Sequence, residues 1–216
     1  MAKKLCFALA VIGAALPSLL VAGTPDAKVP PVSVTVSVFN DARVPSFVLE
    51  AARQRAQAVF QKAGISLTWL DCGEPGNWHS DRGCLGVAFP EHLSVRLVEG
   101  RKAVSADIYG QSYLNEKGEG NYASVFAVAL ASSKALCLVK EGDLLGYVVV
   151  HELGHLLLGQ DSHSTQGLMR ARWEVSELHE ARLGTLRFTA GEAQLMRSRY
   201  RSAKNAHIEA ASLAAM

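Results

Sequence analysis

Residues 148–169 of the 216-residue chain read VVVHELGHLLLGQDSHSTQGLM. The chemistry in this segment begins with His151 and His155, four residues apart. On a helix that spacing projects both imidazoles from one face, where they can bind the same ion. Glu152 stands beside the first of them, suited to take a proton from water rather than to ligate. Val148, Val149 and Val150 precede the motif and Leu156, Leu157 and Leu158 follow it, which predicts a buried helix. A buried helix does not carry two histidines and a glutamate idly. An HExxH string arises by chance in roughly one such chain in 100. This one is raised above chance because a helix stop and a further candidate ligand follow within reach. Together these residues predict a site for one zinc ion.

The order of features also resembles a known family. HExxH, a glycine, a third ligand and a downstream methionine are the marks of the metzincin zinc peptidases. In that family the glycine turns the chain sharply out of the active-site helix. The third ligand then swings under the metal, and a Met-containing turn forms a floor beneath it. The resemblance implies His151, His155 and His163 as metal ligands and Glu152 as the catalytic residue. It also implies Gly159 as the helix-ending turn and Met169 as the Met-turn residue. The family pattern HExxHxxGxxH is lengthened here to HExxHxxxGxxxH. In this form, with SHS and Gly-Leu-Met following HELGHLLLG, the chain is similar to secreted bacterial metzincin-like proteins.

The longer spacing leaves a second candidate. Asp161 lies six residues beyond His155, where snapalysin-like metzincins place an aspartate. It is the alternative third ligand, or a carboxylate that orients a ligand, or a plain turn residue. Glu174 follows His155 with eighteen residues between them, a spacing some zinc aminopeptidases use for a glutamate ligand. Those enzymes need a supporting carboxylate one turn on, and Leu178 and Ala181 stand in the corresponding places. Trp173 either lines the pocket for the residue after the scissile bond or fills the core.

The resemblance implies a secreted zinc-dependent endopeptidase hydrolysing peptide bonds by metal-activated water, with Glu152 as general base. Its partner would be a peptide or protein substrate. No Ser or Cys sits beside a plausible base in the motif, so no covalent intermediate is expected. Two other readings stay open. One is a non-catalytic zinc-binding or interaction protein on the same fold, which would have no need of Glu152. The other is a zinc amidase acting on a non-protein substrate.

The elements that must position these groups form an α+β, metzincin-like fold. It has a mixed twisted sheet of four to five strands, a backing helix, the active-site helix and a C-terminal helix. Val32, Val34, Val36 and Val38 alternate with Ser and Thr, a strand of period two. Residues 47–62 carry Val48, Ala52, Ala56, Val59 and Phe60 on one stripe of a helix, with Ser46 as its cap and Gly64 at its end. Residues 65–70 and 93–98 read as strands, and 105–114 as a weaker edge strand. A turn at 115–121 leads into a buried strand over 122–130. Beyond the motif, residues 174–183 read as a helix ended by Gly184. Thr189 and Glu192 form a capping box for a last helix over 190–201. Leu195, Met196 and Tyr200 should pack that helix inward, while Arg197, Arg199 and Arg201 form a solvated face.

Across the whole chain, 22 basic residues against 20 acidic ones give no electrostatic reason to bind nucleic acid. A hydrophobic content of 49% excludes a disordered chain. Residues 1–23 read as a cleavable signal peptide: Lys3 and Lys4, an apolar run over 5–21, then Val21 and Gly23 placed for cleavage. Those two lysines account for the basic excess. No other segment is long and apolar enough to span a bilayer. Residues 24–203 are thus expected as one metallopeptidase domain and 204–216 as a fraying tail. The product is expected to be secreted or periplasmic and monomeric, free of nucleic acid and of the membrane after signal cleavage.

An oxidising compartment settles how the cysteines read. Cys72 and Cys84 bracket a turn-rich loop and are expected to form a disulfide. Cys137, between Leu136 and Leu138, reads as a buried thiol. His79, His92, His179 and His207 show no ligand spacing.

Overall fold

Alternation of valine with serine and threonine builds the centre of the sheet. In β1 (Val32–Asn40), Val32, Val34, Val36 and Val38 are all buried. The computed structural model describes residues 31–74, 77–78, 82–86, 88–100 and 109–214. The expected signal peptide, His79 and residues 105–108 of the expected edge strand lie outside them.

Helix α1 (Ser46–Lys62) follows and buries the five apolar residues of its stripe. Ser46 is its first helical residue rather than its cap. Pro45 takes the cap position, with no side-chain hydrogen bond. β2 (Ile65–Asp71) then pairs in parallel with β1. A short ribbon of β3 (Gly73–Glu74) and β4 (Asn77–Trp78) leads to the four-residue helix α2 (Arg82–Leu85). The expected disulfide joins Cys72 to Cys84 across this loop. β5 (His92–Val98) returns to the other side of β1, and His92 accepts or donates a 2.7 Å bond to Ser37 in place of any ligand role.

β6 (Gly110–Tyr113) and β7 (Tyr122–Phe126) complete a five-stranded sheet of order β2-β1-β5-β7-β6. Four strands are parallel and β6 alone is antiparallel, at the edge. The strand predicted over 122–130 ends early. After Phe126 the chain forms α3 (Ala127–Ala131), burying Leu130 and leaving Val128 exposed. An alanine-rich segment at a sheet end favours the helix. A 3-10 turn, Lys134–Cys137, follows and points Ala135 and Val139 inward. Cys137 is consequently exposed, contrary to the buried thiol expected from its leucine neighbours.

α4 (Glu141–Leu158) is buried on nearly every side, as its all-round apolar composition requires. It crosses α1 closely: a Cβ on Gly146 would sit 2.7 Å from the carbonyl oxygen of Ala52. α5 (Val175–Leu183) opens on a reciprocal capping box between Glu174 and Glu177 and ends at Gly184. α6 (Ala190–Ala214) begins with the expected Thr189–Glu192 box. It extends well beyond residue 201, as a helix whose last turns are exposed. Met196 and Tyr200 pack inward, but Leu195 is half exposed. Nor are its arginines all solvated, since Arg197 and Arg199 are half-buried and donate to backbone carbonyls. Among the described residues no helix is long and apolar enough to cross a membrane.

Candidate active site

One turn of α4 separates His151 from His155, and their ring centroids lie 4.7 Å apart. The helix stops where the motif needs it to. Gly159 adopts φ 90° and ψ −163°, and its N–H donates to the His155 carbonyl at 2.9 Å. The chain turns through Asp161, itself at φ 53°, and brings His163 back over the helix. His163 stands 4.6 Å from His155 and 5.5 Å from His151 between ring centroids. One donor atom from each of the three histidines falls within 4.8 Å of the others. Asp161 is exposed and outside this cluster. Glu174 is engaged elsewhere, capping α5 and pairing with Arg170.

The outer nitrogens of two rings are held. His151 Nδ1 lies 2.9 Å from the carbonyl oxygen of Leu168, which can only accept, so Nδ1 carries the proton and Nε2 presents its lone pair. His155 Nδ1 lies 2.7 Å from Ser162 Oγ, a partner able to accept in the same way. Their two Nε2 atoms approach to 3.0 Å. Convergent lone pairs on neutral imidazoles, each backed by an acceptor on the far nitrogen, are the donor set a divalent zinc-like ion takes. Burial pushes His151 down to about 4, with His163 adding to the shift and the Leu168 bond opposing it. Burial, then His151 and His163, push His155 to about 3. Both rings are therefore neutral at physiological pH.

Met169 is fully buried beneath α4, and a Cβ on Gly154 would meet its sulfur at 2.7 Å. The same turn presents the Leu168 carbonyl to His151 and, at 3.0 Å, to Trp173 Nε1. Trp173 stands edge-on to His151 and lines the cleft.

No protein-family model matches the chain, and no curated protein sequence matches it. Solved structures similar to it include the following two. Archaemetzincin from Methanopyrus kandleri shares 13% identity at a TM-score of 0.49, over 78% of this chain and 96% of that one. Metalloproteinase-II from Bacteroides fragilis shares 12% at a TM-score of 0.47, over 78% of this chain and 53% of that one. This chain thus spans about half the length of the second. Both likenesses are distant, and the chemistry rests on the site itself.

Glu152 is 5% exposed, and its carboxylate is held from the edge of the sheet. Ser112 Oγ lies 2.7 Å from Glu152 Oε2 and 2.8 Å from its carbonyl oxygen. Gly110, two residues earlier on β6, has its backbone so close that a Cβ there would be 2.6 Å from Oε1. Burial raises Glu152 to about 7, against the opposing effect of the Ser112 bond. Sequence reasoning missed both residues. The edge strand was legible, but its register over α4 was not, and only that register gives a serine and a glycine on a thin strand any meaning.

The three histidines and Glu152 open on a cleft of about 730 Å³, walled by Tyr109, Gln111, Val148, Arg170, Trp173 and Leu178 among others. Among the described residues, Glu152 is the only acidic one lining it. The cleft is therefore a place where one carboxylate, three imidazoles and an extended strand edge face a common space.

Proposed function

We propose that the protein is a metal-dependent hydrolase of peptide bonds, a metzincin-like zinc endopeptidase acting outside the cytoplasm. The observation that carries this reading is the buried Glu152 carboxylate placed beside the three-histidine cluster at the mouth of an open cleft. His151, His155 and His163 would hold one ion. Bound there, zinc supplies Lewis acidity, polarising a carbonyl and acidifying water. Glu152 takes the proton from the attacking water on its carboxylate, holds it in a site shielded from bulk solvent, and returns it to the departing amine nitrogen. Ser112 Oγ lies within hydrogen-bond reach of both Oε2 and the helix carbonyl and shares its single proton between them, which steadies the carboxylate. The apolar wall of Val148, Trp173 and Leu178 accommodates a substrate side chain.

The leading 23 residues and the Cys72–Cys84 bridge support a secreted product. A peptide or protein is the substrate class we assign to this open cleft. The test measures zinc content and cleavage of a peptide library for the protein beside Glu152→Gln. Zinc in both with hydrolysis only in the wild type is the expected outcome. Zinc in both with no cleavage by either would leave a binding protein and sink the peptidase reading.

A further inference from the structure

Sequence patterning places Arg199 on a solvated face, yet its guanidinium is inserted between two segments of the site. Arg199 Nε donates to the Leu157 carbonyl at 3.2 Å, in the last turn of α4, two residues past His155. Nη2 donates to the Gly118 carbonyl at 2.9 Å, in the turn joining β6 to β7. A Cβ on Gly159 would fall 2.8 Å from the same Nη2, so glycine there admits the guanidinium as well as the positive φ. Gln160 ties the same two segments again, its Nε2 donating to the Asn115 carbonyl at 2.9 Å. Carbonyls in the last turn of a helix lack partners within it and attract a cation. Here one cation serves the helix end and the hairpin together.

We propose that Arg199 is a positioning residue for the site, clamping the β6–β7 turn onto the C-terminal end of α4. Through the hairpin it fixes the strand from which Ser112 and Gly110 hold Glu152. Through the helix end it fixes the exit that carries Ser162 to His155 and His163 to the cluster. The planar fork of donors is needed, because a lysine ammonium on its single stem does not span both carbonyls in the same way. The inference rests on the metal-site reading above for its functional half only.

Arg197 supplies a matched control. It lies on the same helix, is similarly half-buried, and donates to the Ala63 carbonyl at 2.5 Å, a position remote from the histidines. In metal-free full-length protein, Arg199→Met should raise amide hydrogen exchange about tenfold in both 115–121 and 159–163, while Arg197→Met leaves these segments at the wild-type rate. Zinc affinity by chelator competition should fall about tenfold in Arg199→Met, the low end for loss of a group that orients ligands, and recover in part in Arg199→Lys. Equal exchange in the two methionine variants, or unchanged zinc affinity in Arg199→Met, overturns the clamp. Should Arg199→Met not fold, Arg199→Lys decides: protection lost in at least one of the two segments supports the clamp, and full protection with wild-type affinity refutes it. A wild-type protein that takes up no zinc refutes the metal reading instead, and the exchange comparison still decides the clamp.

Discussion

Substituting Gly110 by alanine isolates the role of the edge strand in holding the Glu152 carboxylate. The added Cβ would lie 2.6 Å from Glu152 Oε1 and 2.7 Å from both Cδ and Cγ, roughly 1 Å inside ordinary contact. Something must move, and two candidates compete. Moving β6 would disturb a ladder in which Gly110, Gln111, Ser112 and Tyr113 are all registered against β7. Moving the Glu152 side chain breaks its bond to Ser112, a charge-assisted contact whose loss costs about 1.5–3 kcal/mol. The side chain is the cheaper of the two. A carboxylate displaced by about 1 Å loses roughly 100-fold in rate, equivalent to about 2.7 kcal/mol of barrier. Gly110→Ala should therefore lower kcat about 100-fold on a cleavable peptide, with zinc content unchanged and Tm roughly 3–12 °C below the wild type. Full kcat in Gly110→Ala would refute the reasoning. A large fall in Tm with proportionate loss of activity would show that the strand, not the carboxylate, had yielded.

Other outcomes follow from the same geometry. His163→Ala should weaken zinc binding at least tenfold while Asp161→Ala leaves it within about threefold, measured by chelator competition; the reverse order would move the third ligand to Asp161. Reduction of the Cys72–Cys84 bridge, or Cys72→Ser with Cys84→Ser, should remove about 3 kcal/mol of stability in urea titrations, the entropy of closing so short a loop. An unchanged urea midpoint would show that the loop is already constrained by its own contacts. For Glu177, burial would raise the pKa, but the Glu174 N–H, the Ser176 hydroxyl, its own N–H and Arg170 together lower it. A depressed carboxylate stabilises above its unfolded value, ordinarily near 4.5, and loses that stabilisation as pH falls through the folded value. Glu177→Gln should accordingly melt roughly 3–6 °C below the wild type at pH 7 and approach it in acid. A gap that stays constant down to low pH would assign the effect to packing.

What sequence could and could not reveal divides along the physical reach of each signal. His151, His155 and Glu152 were legible because helical periodicity converts spacing directly into direction. The Gly159 turn was legible because few residues other than glycine tolerate its positive φ. β1, β2 and β5 announced themselves through alternation or apolar runs bounded by turns. The end of β7 did not. Residues 127–130 are apolar enough to continue a strand, but the alanine-rich segment folds into α3 as the chain leaves the sheet. Cys137 failed for a related reason: its leucine neighbours imply burial, but a 3-10 turn gives Ala135 and Val139 to the core and leaves Leu138 and the thiol outside. Local composition states what a segment can bury, and the path of the backbone decides which residues it does.

The residues hardest to read are those that work across the fold. Ser112 is an unremarked serine on a short edge strand, and Arg199 is one of three arginines along an exposed-looking helix. Neither has a sequence signature, because neither acts on its own neighbours. Ser112 reaches Glu152 across 40 positions, and Arg199 reaches Leu157 across 42 and Gly118 across 81. The division has a functional logic. Three of the groups that would meet metal and substrate, His151, Glu152 and His155, sit on one rigid helix, where spacing alone sets their directions. Groups that keep them oriented come from elements packed around it, so orientation is achieved only when the whole domain has folded. A histidine pair is thus in place as soon as α4 forms, while the carboxylate and the third histidine wait on β6, the hairpin and α6. A partly folded chain would then hold metal weakly and lack an oriented carboxylate.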